Sequence, residues 1–440
     1  MARSPTEDLE RREEHDLETG RRDFLRRAAA GAVALGAAGC EYTSQLFLVR
    51  PAPKRSGPPL PEWVGSRVRA WRPLGRTGFA MSDISFGCAN LADPALVRAA
   101  IDRGVNYFDT SPDYSREGSE RALGEGIRGT RRERLFIASK FCTAEGHLPA
   151  DAPVTAVMAA VEGSLRRVGT DYLDLAHIHA CNDLERLLAP TFHEAAARLR
   201  EQGKLRFVGV SSHNPRLETV MRAAVDSGRF DVVMVAYNFG VWPGLQDILR
   251  DAQARGVGVV AMKTLKGARH TALREFTPGE RDSFAQAAFA WVLSNPQVNG
   301  LVVSIDSEAQ LDEYLAGSGV PLTAADVALL ERYDRLIAND WCRPGCGQCL
   351  GACPAAVPID DVLRWATYYE HYRHEEIARA AYARLAPERR GSACASCPAP
   401  CEAACPHGLP IRAKLERTHA LLAPRPLPAS TAPLGLCVDA

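Results

Sequence analysis

The sequence predicts an α/β chain in which a (β/α)8 TIM barrel is followed by a small α-helical, cysteine-rich domain. Three observations carry this. Between residues 69 and 338, eight short β-branched runs alternate with amphipathic stretches, the pattern of βα units around a parallel sheet. Of 13 cysteines, eight crowd between Cys342 and Cys405, which scattered structural disulfides would not do. At 440 residues the chain is too long for one ordinary domain and short for three. The profile is otherwise globular, 46% hydrophobic and 24% charged. Lys+Arg and Asp+Glu are equal at 53, and no Lys/Arg stripe supplies the electrostatic footprint of a nucleic-acid partner.

Residues 1–40 read as an export signal. Thr19-Gly20-Arg21-Arg22-Asp23-Phe24-Leu25-Arg26 sets paired arginines before an aromatic and a leucine, and a weakly apolar run from Ala28 to Gly39 follows. This resembles a twin-arginine signal. The run falls well short of the roughly 20 residues that cross a bilayer, so no permanent span is expected. Ala37-Ala38-Gly39-Cys40 resembles a lipoprotein cleavage box with Ala where Leu is usual. Either Cys40 is acylated and becomes the mature N-terminus, or cleavage occurs nearby without lipid. A single acyl chain anchors only marginally, so membrane contact is expected through Cys40 or not at all. The expected location is the periplasm, free or lipid-anchored. Residues 41–68, with Pro51, Pro53, Pro58, Pro59 and Pro61, read as a linker.

The eight predicted strands are 84–87, 106–109, 135–138, 173–176, 207–210, 232–235, 258–261 and 301–304. Helical spacing of apolar residues follows each, as over 156–168 and 192–202, and a helix from Ala324 to about Asn339 ends the barrel. In such a barrel, chemistry sits at the C-terminal ends of strands. Asp109 ends strand two with Tyr114 just beyond it, Lys140 ends strand three and His179 ends strand four. An acid, a phenol, a base and an imidazole thus converge, a group suited to giving a proton to a carbonyl oxygen as hydride reaches carbon. A phenol is a weak acid near pH 10, so a neighbouring ammonium is needed to stabilise the phenolate.

Leu74-Gly75-Arg76-Thr77-Gly78, the Asp109/Tyr114 spacing, Ser119-Glu120, Lys140 and Asp174-Leu175-Ala176-His177-Ile178-His179 together resemble the aldo/keto reductases over about 69–338. The resemblance implies Tyr114 as general acid/base, Lys140 lowering its pKa, Asp109 paired with Lys140, and His179 orienting the carbonyl of a small-molecule carbonyl or alcohol substrate. It implies NAD(P)H as hydride carrier, with Ser211, Ser212, Tyr237, Asn238 and Lys263 as candidate contacts. The chain departs from the family there. Ser212 stands for Asn, Met234 for the Gln that completes the carboxamide grip, and Met262 for a stacking aromatic. Ser304-Ile305-Asp306 replaces the basic residue that takes a 2′-phosphate, and Gln310 replaces a frequent Arg; an acid there repels phosphate. Coenzyme binding is therefore expected to be weak or NAD-leaning. Cys142 and Cys181, each two residues past a candidate catalytic residue, are read as small buried thiols in preference to a redox or metal pair.

Residues 339–422 carry two cysteine sets, Cys342-x3-Cys346-x2-Cys349-x3-Cys353-Pro354 and Cys394-x2-Cys397-x3-Cys401-x3-Cys405-Pro406. Tight thiolate spacing lets a short loop wrap three corners of an iron-sulfur cube, a fourth cysteine following after a turn. The pattern resembles a dicluster ferredoxin, loose by one residue in one gap of each set, and implies two [4Fe-4S] clusters on these eight residues. Which four share a cluster stays open, and four-cysteine zinc sites are the chemical alternative. Twin-arginine export moves proteins already folded with cofactors loaded, so the two ends of the chain agree. An unidentified electron-transfer partner is expected for relaying clusters, whereas structural clusters would need none. A rival reading makes the chain an iron-sulfur electron-transfer or docking protein whose barrel has lost nicotinamide binding. Residues 423–440 read as a flexible tail, and Cys437 has no assigned role.

Overall fold

The computed structural model describes residues 60–424, apart from 214–215, 241–243, 266–282, 341, 344–345 and 372–374. The expected signal with Cys40, the linker up to residue 59 and the tail from 425 with Cys437 lie outside the described residues. No helix among the described residues is long and apolar enough to cross a membrane. The chain divides into two compact units, 1–347 and 348–440, so the first cysteine set straddles the division rather than following a boundary at 338.

The first unit is a closed barrel of eight parallel strands in sequential order. They are β1 (Ile84–Gly87), β2 (Tyr107–Asp109), β3 (Phe136–Lys140), β4 (Leu173–Ile178), β5 (Leu205–Ser212), β6 (Val232–Ala236), β7 (Gly258–Met262) and β8 (Gly300–Ser304). All eight predicted strands are present. Successive side chains of a strand point to opposite faces. Tyr107, Phe136, Leu175, Val232, Met234, Val260 and Val302 thus fill the interior, and Phe108, Ile137, Ala176, Val208 and Val233 pack outward on the helices. The same alternation sends Asp109, Lys140, His177 and Ser211 inward at the strand ends.

A hairpin of Trp71–Pro73 and Ala80–Ser82 closes the N-terminal end of the barrel. At its turn Gly75 has φ 49°, and an added Cβ would lie 2.3 Å from the Gly258 nitrogen, so only glycine fits beneath β7. At the same end Asp174 accepts from Arg132, Arg206 and the Ile137 N–H. The expected linker runs too far: its last residues, 60–68, are packed. Trp63 and Val68 are buried, and the Gly65 N–H donates to Asp312. A buried indole anchors this stretch, whereas the proline content suggested a tether.

The described part of the second unit contains helices and short turns and no strand. Helices Ile359–His371, Glu375–Ala383 and Ile411–Leu422 enclose a core of Ile359, Val362, Tyr382, Ile411 and Leu415. The Tyr382 hydroxyl accepts the Gly391 N–H and lies 2.7 Å from His419 Nδ1, pinning the short helical turn Gly391–Cys394 that presents the second cysteine set.

Candidate functional site

The barrel mouth is organised by Lys140. Strands β2 and β3 pair with Asp109 opposite Ala138, so Lys140, two residues on, projects from the same inward side. Its ammonium is 1% exposed. It donates to both Asp109 oxygens at 2.7 Å and to the Thr110 carbonyl at 2.8 Å, which satisfies all three protons. Burial pushes the Asp109 carboxyl up against the opposing pull of the ammonium. Lys140 Nζ lies 5.6 Å from the ring centroid of half-buried Tyr114, and that ring meets His179 edge-on at 5.8 Å. The four residues predicted from strand ends are therefore brought together.

The loop between Asp109 and the helix Gly118–Gly126 is strained. Ser115, Arg116 and Glu117 all have positive φ, of 50°, 46° and 71°. Ser119 and Glu120 brace it: Ser119 Oγ contacts Thr110 and donates to the Cys88 carbonyl, and buried Glu120 accepts from Ser139 and Arg167. Arg167 also bridges to Glu117.

Three further residues at this mouth carried no role in the sequence reading. Asp113 Oδ2 lies 3.3 Å from His179 Nδ1 and 3.5 Å from His147 Nε2. His147 comes from a short hairpin in which it pairs with Cys142, and paired residues carry their side chains on one side. Cys142 Sγ is 3.7 Å from His179 Nδ1, so this thiol is part of the mouth and no bystander. Arg186 holds the backbone from behind, its Nη1 donating to the His179 carbonyl and its Nε to Leu148. Burial lowers His179 to about 4 and keeps its imidazole neutral. Burial alone would raise Asp113, but His179 and His147 outweigh it and hold the carboxyl well below the usual range. Cys181 is buried and donates to the Asp183 carbonyl, as expected of a structural thiol. Below this layer His177 fills the interior against Gly209, where an added Cβ would lie 2.5 Å from its Nδ1.

The barrel has known counterparts. Residues 92–335, more than half of the chain, match the sequence profile described as "Aldo/keto reductase family". The chain belongs to the aldo/keto reductase family. It is similar to an L-galactose dehydrogenase of Arabidopsis thaliana, 28% identical over 280 residues that cover 56% of this chain and 86% of the relative. A methylglyoxal reductase of Escherichia coli is 28% identical over 249 residues, covering 54% and 83%. Among solved structures, an aldo/keto reductase from Klebsiella pneumoniae in complex with NADP and acetate is 25% identical over 61% of this chain and 95% of its own, with a TM-score of 0.49. The family match ends before Cys342. Family and homologues make this chain an oxidoreductase.

The expected coenzyme contacts of this aldo/keto reductase are unequal. Ser211 points into the mouth; its oxygen accepts the Ala180 N–H at 2.9 Å, which leaves its hydrogen available to a ligand. Ser212 is buried at the same strand end, and Lys263, at φ 54°, follows β7. Asn238 is engaged within the protein, donating to the Lys263 carbonyl and accepting the Gly240 N–H. Tyr237 corrects the expectation. One residue past the end of β6, it turns to the helices, meets Trp291 at a tilt and accepts from Gln246 and Asn295. Met234 lies in the apolar interior opposite Ser211. Gln310 accepts the Asp306 N–H, which fixes the acidic residue at the end of β8. Of the expected contacts, Ser211 and Ser212 thus end β5 and Lys263 follows β7, while Met234 offers an apolar side chain at its position on β6.

In the second unit the cysteines group across the two sets. Burial pushes Cys394 up to about 11, and Cys353, Cys401 and Cys397 add to it; Cys401 is raised by burial and then by Cys353. The turn Leu350–Ala352, just before Cys353, packs against the short helix Pro400–Ala403 that carries Cys401, which brings the end of the first set beside the second. The Val357 N–H donates to Cys353 Sγ and the Ala399 N–H to Cys397 Sγ, each at 3.4 Å. Backbone donors of this kind stabilise thiolate sulfur. Cys349 is buried, Cys342, Cys346 and Cys405 are half-buried, and all eleven described cysteines are free of disulfides.

Replacing Lys140 with Met strands a buried carboxylate, and the unfolding free energy should fall by about 3–5 kcal/mol in denaturant titration. The double variant Lys140→Met/Asp109→Leu should recover much of that loss; a double variant as unstable as the single would show that the pair is not coupled.

Proposed function

We propose that this chain is an exported reductase of small aldehydes or ketones, able to run in reverse on the alcohols, with Tyr114 as general acid/base and two [4Fe-4S] clusters on its C-terminal cysteines. The observation that carries the catalytic reading is the fully buried Lys140 ammonium, held by Asp109 and set against the Tyr114 ring. The relatives' names, a galactose dehydrogenase and a methylglyoxal reductase, favour small polar substrates.

In this reading His179, neutral through burial, donates a hydrogen bond that aims the carbonyl oxygen at Tyr114. Tyr114 gives its hydroxyl proton to that oxygen as charge builds on it. The phenolate left behind is stabilised by Lys140, whose position Asp109 and the Thr110 carbonyl fix. Solvent then returns a proton to Tyr114. Bound nicotinamide supplies the hydride, and Ser211, Ser212 and Lys263 would hold it. Asp306 at the end of β8 disfavours a 2′-phosphate, so NADH is the preferred form.

The cysteines suit clusters through their tight spacing, and two of them, Cys353 and Cys397, accept backbone N–H groups. The residues are Cys342, Cys346, Cys349, Cys353, Cys394, Cys397, Cys401 and Cys405, with Cys353 joining Cys394, Cys397 and Cys401. Such clusters, when loaded, supply one-electron storage to a redox partner. Export follows from Arg21-Arg22 and the apolar run to Gly39, with periplasmic release or lipid attachment at Cys40.

Anaerobically purified full chain should contain about eight iron and eight sulfide per chain and reduce methylglyoxal faster with NADH than with NADPH. Tyr114→Phe should lower that rate by about 10²–10⁴-fold with iron content unchanged. Equal turnover by the variant would overturn the catalytic reading in favour of an electron-transfer or docking protein, and absence of iron would overturn the cluster assignment. In cells, Arg21→Lys combined with Arg22→Lys should leave the chain in the cytoplasm; export undiminished by the double substitution contradicts the twin-arginine route.

A further inference from the structure

We propose that the barrel mouth is also a metal site, holding one divalent ion of the zinc type on Asp113 Oδ2, Cys142 Sγ, His147 Nε2 and His179 Nδ1. The ligand atoms of these four residues lie within 4.8 Å of one another. Zinc binds imidazole nitrogen and carboxylate oxygen at about 2.0–2.1 Å and thiolate at about 2.3 Å. A tetrahedron with those arms has edges of about 3.3 Å between nitrogen and oxygen and about 3.6 Å between nitrogen and sulfur. The observed separations are 3.3 Å and 3.5 Å from Asp113 to the two imidazoles and 3.7 Å from Cys142 to His179. Three edges of the coordination polyhedron therefore exist already.

The donor set selects the metal. Magnesium and calcium take oxygen ligands, whereas one sulfur, two nitrogens and one oxygen suit zinc or cobalt. Four protein donors make a closed set, which characterises structural rather than open catalytic zinc sites. The other oxygen of the same carboxylate, Asp113 Oδ1, is buried without a hydrogen-bond partner among the described residues, so the group has spare acceptor capacity. Arg186, the neighbouring cation, is engaged with the His179 and Leu148 carbonyls and supports the ligand backbone from behind.

The ligands come from three segments: the strained loop after β2, the hairpin Cys142–His147 after β3, and the end of β4. An ion here ties the Tyr114 loop to both neighbouring strands through the residue adjacent to Tyr114. With Nδ1 on the metal, His179 keeps Nε2 for the substrate, a consequence that rests on the function proposed above; the binding of the metal does not.

The test is metal content. Full chain with its clusters loaded is stripped with a chelator, exposed to zinc sulfate alone, desalted and analysed for zinc, with cobalt as a spectroscopic probe of four-coordinate sulfur-nitrogen ligation. The wild type should retain about one zinc per chain beyond any at the cysteine module, and Cys394→Ser should retain it too. His147→Ala, at a side chain 38% exposed and so tolerant of truncation, and Cys142→Ser should each weaken binding at least tenfold. Zinc bound equally by wild type and both variants, zinc bound by none of them, or loss confined to Cys394→Ser each overturns the site. Zinc retained by a chain that reduces no carbonyl would sink only the reductase reading, and a reductase that never takes zinc would sink only this one.

Discussion

The barrel mouth depends on a buried ammonium. Taking Lys140 out of water costs several kcal/mol, and only complete satisfaction of its three protons offsets that. The fold supplies it: adjacent parallel strands bring Asp109 and Lys140 to the same inward side, and the first residue beyond β2 adds its carbonyl. Because the pair fixes where β2 ends, it also fixes where the next loop starts, and so where Tyr114 and Asp113 are delivered. Glu120 and Arg167 hold the far side of that loop against the helix Val154–Val168.

Backbone strain marks the same places. Among the described residues, seven without glycine's freedom have positive φ: Ser115, Arg116, Glu117, Ala180, Lys263, Ala356 and Ala399. The first five follow β2, β4 and β7 at the mouth, and the last two follow Cys353 and Cys397. Each costs of order 1–3 kcal/mol and persists where its surroundings over-determine it. Such strain concentrates where function fixes the chain. Its confinement to the mouth and the cysteine loops, in two units described separately, is an independent reason for regarding both as sites.

Much of this was legible in the sequence. All eight strands announce themselves as β-branched runs, and Asp109, Lys140 and His179 could be placed because strand ends are where such barrels carry polar residues. Strand lengths were underestimated where polar residues continue the ladder, as at Ser139-Lys140, His177-Ile178 and Ser211-Ser212. Tyr237 came in through the family resemblance, which carries no facing; one residue past the end of β6, it turns outward. Asp113, Cys142 and His147 were not legible as a group, since three segments meet only once the barrel closes and Cys142 pairs with His147 across a hairpin. Trp63 was hidden by the prolines around it. The approach of the Cys353 turn to the helix that carries Cys401 likewise required the fold, because spacing alone leaves the partners of each thiol open.

The central claim is that the barrel mouth joins hydride and proton on one carbonyl, independently of the C-terminal cysteines. Anaerobic turnover of methylglyoxal with NADH deuterated at its transferable position tests it most directly, with the product alcohol read by mass spectrometry. The account predicts one deuterium on the product's carbinol carbon. Product formed with only solvent hydrogen on that carbon would contradict it, because the electrons would then have reached the substrate by another route.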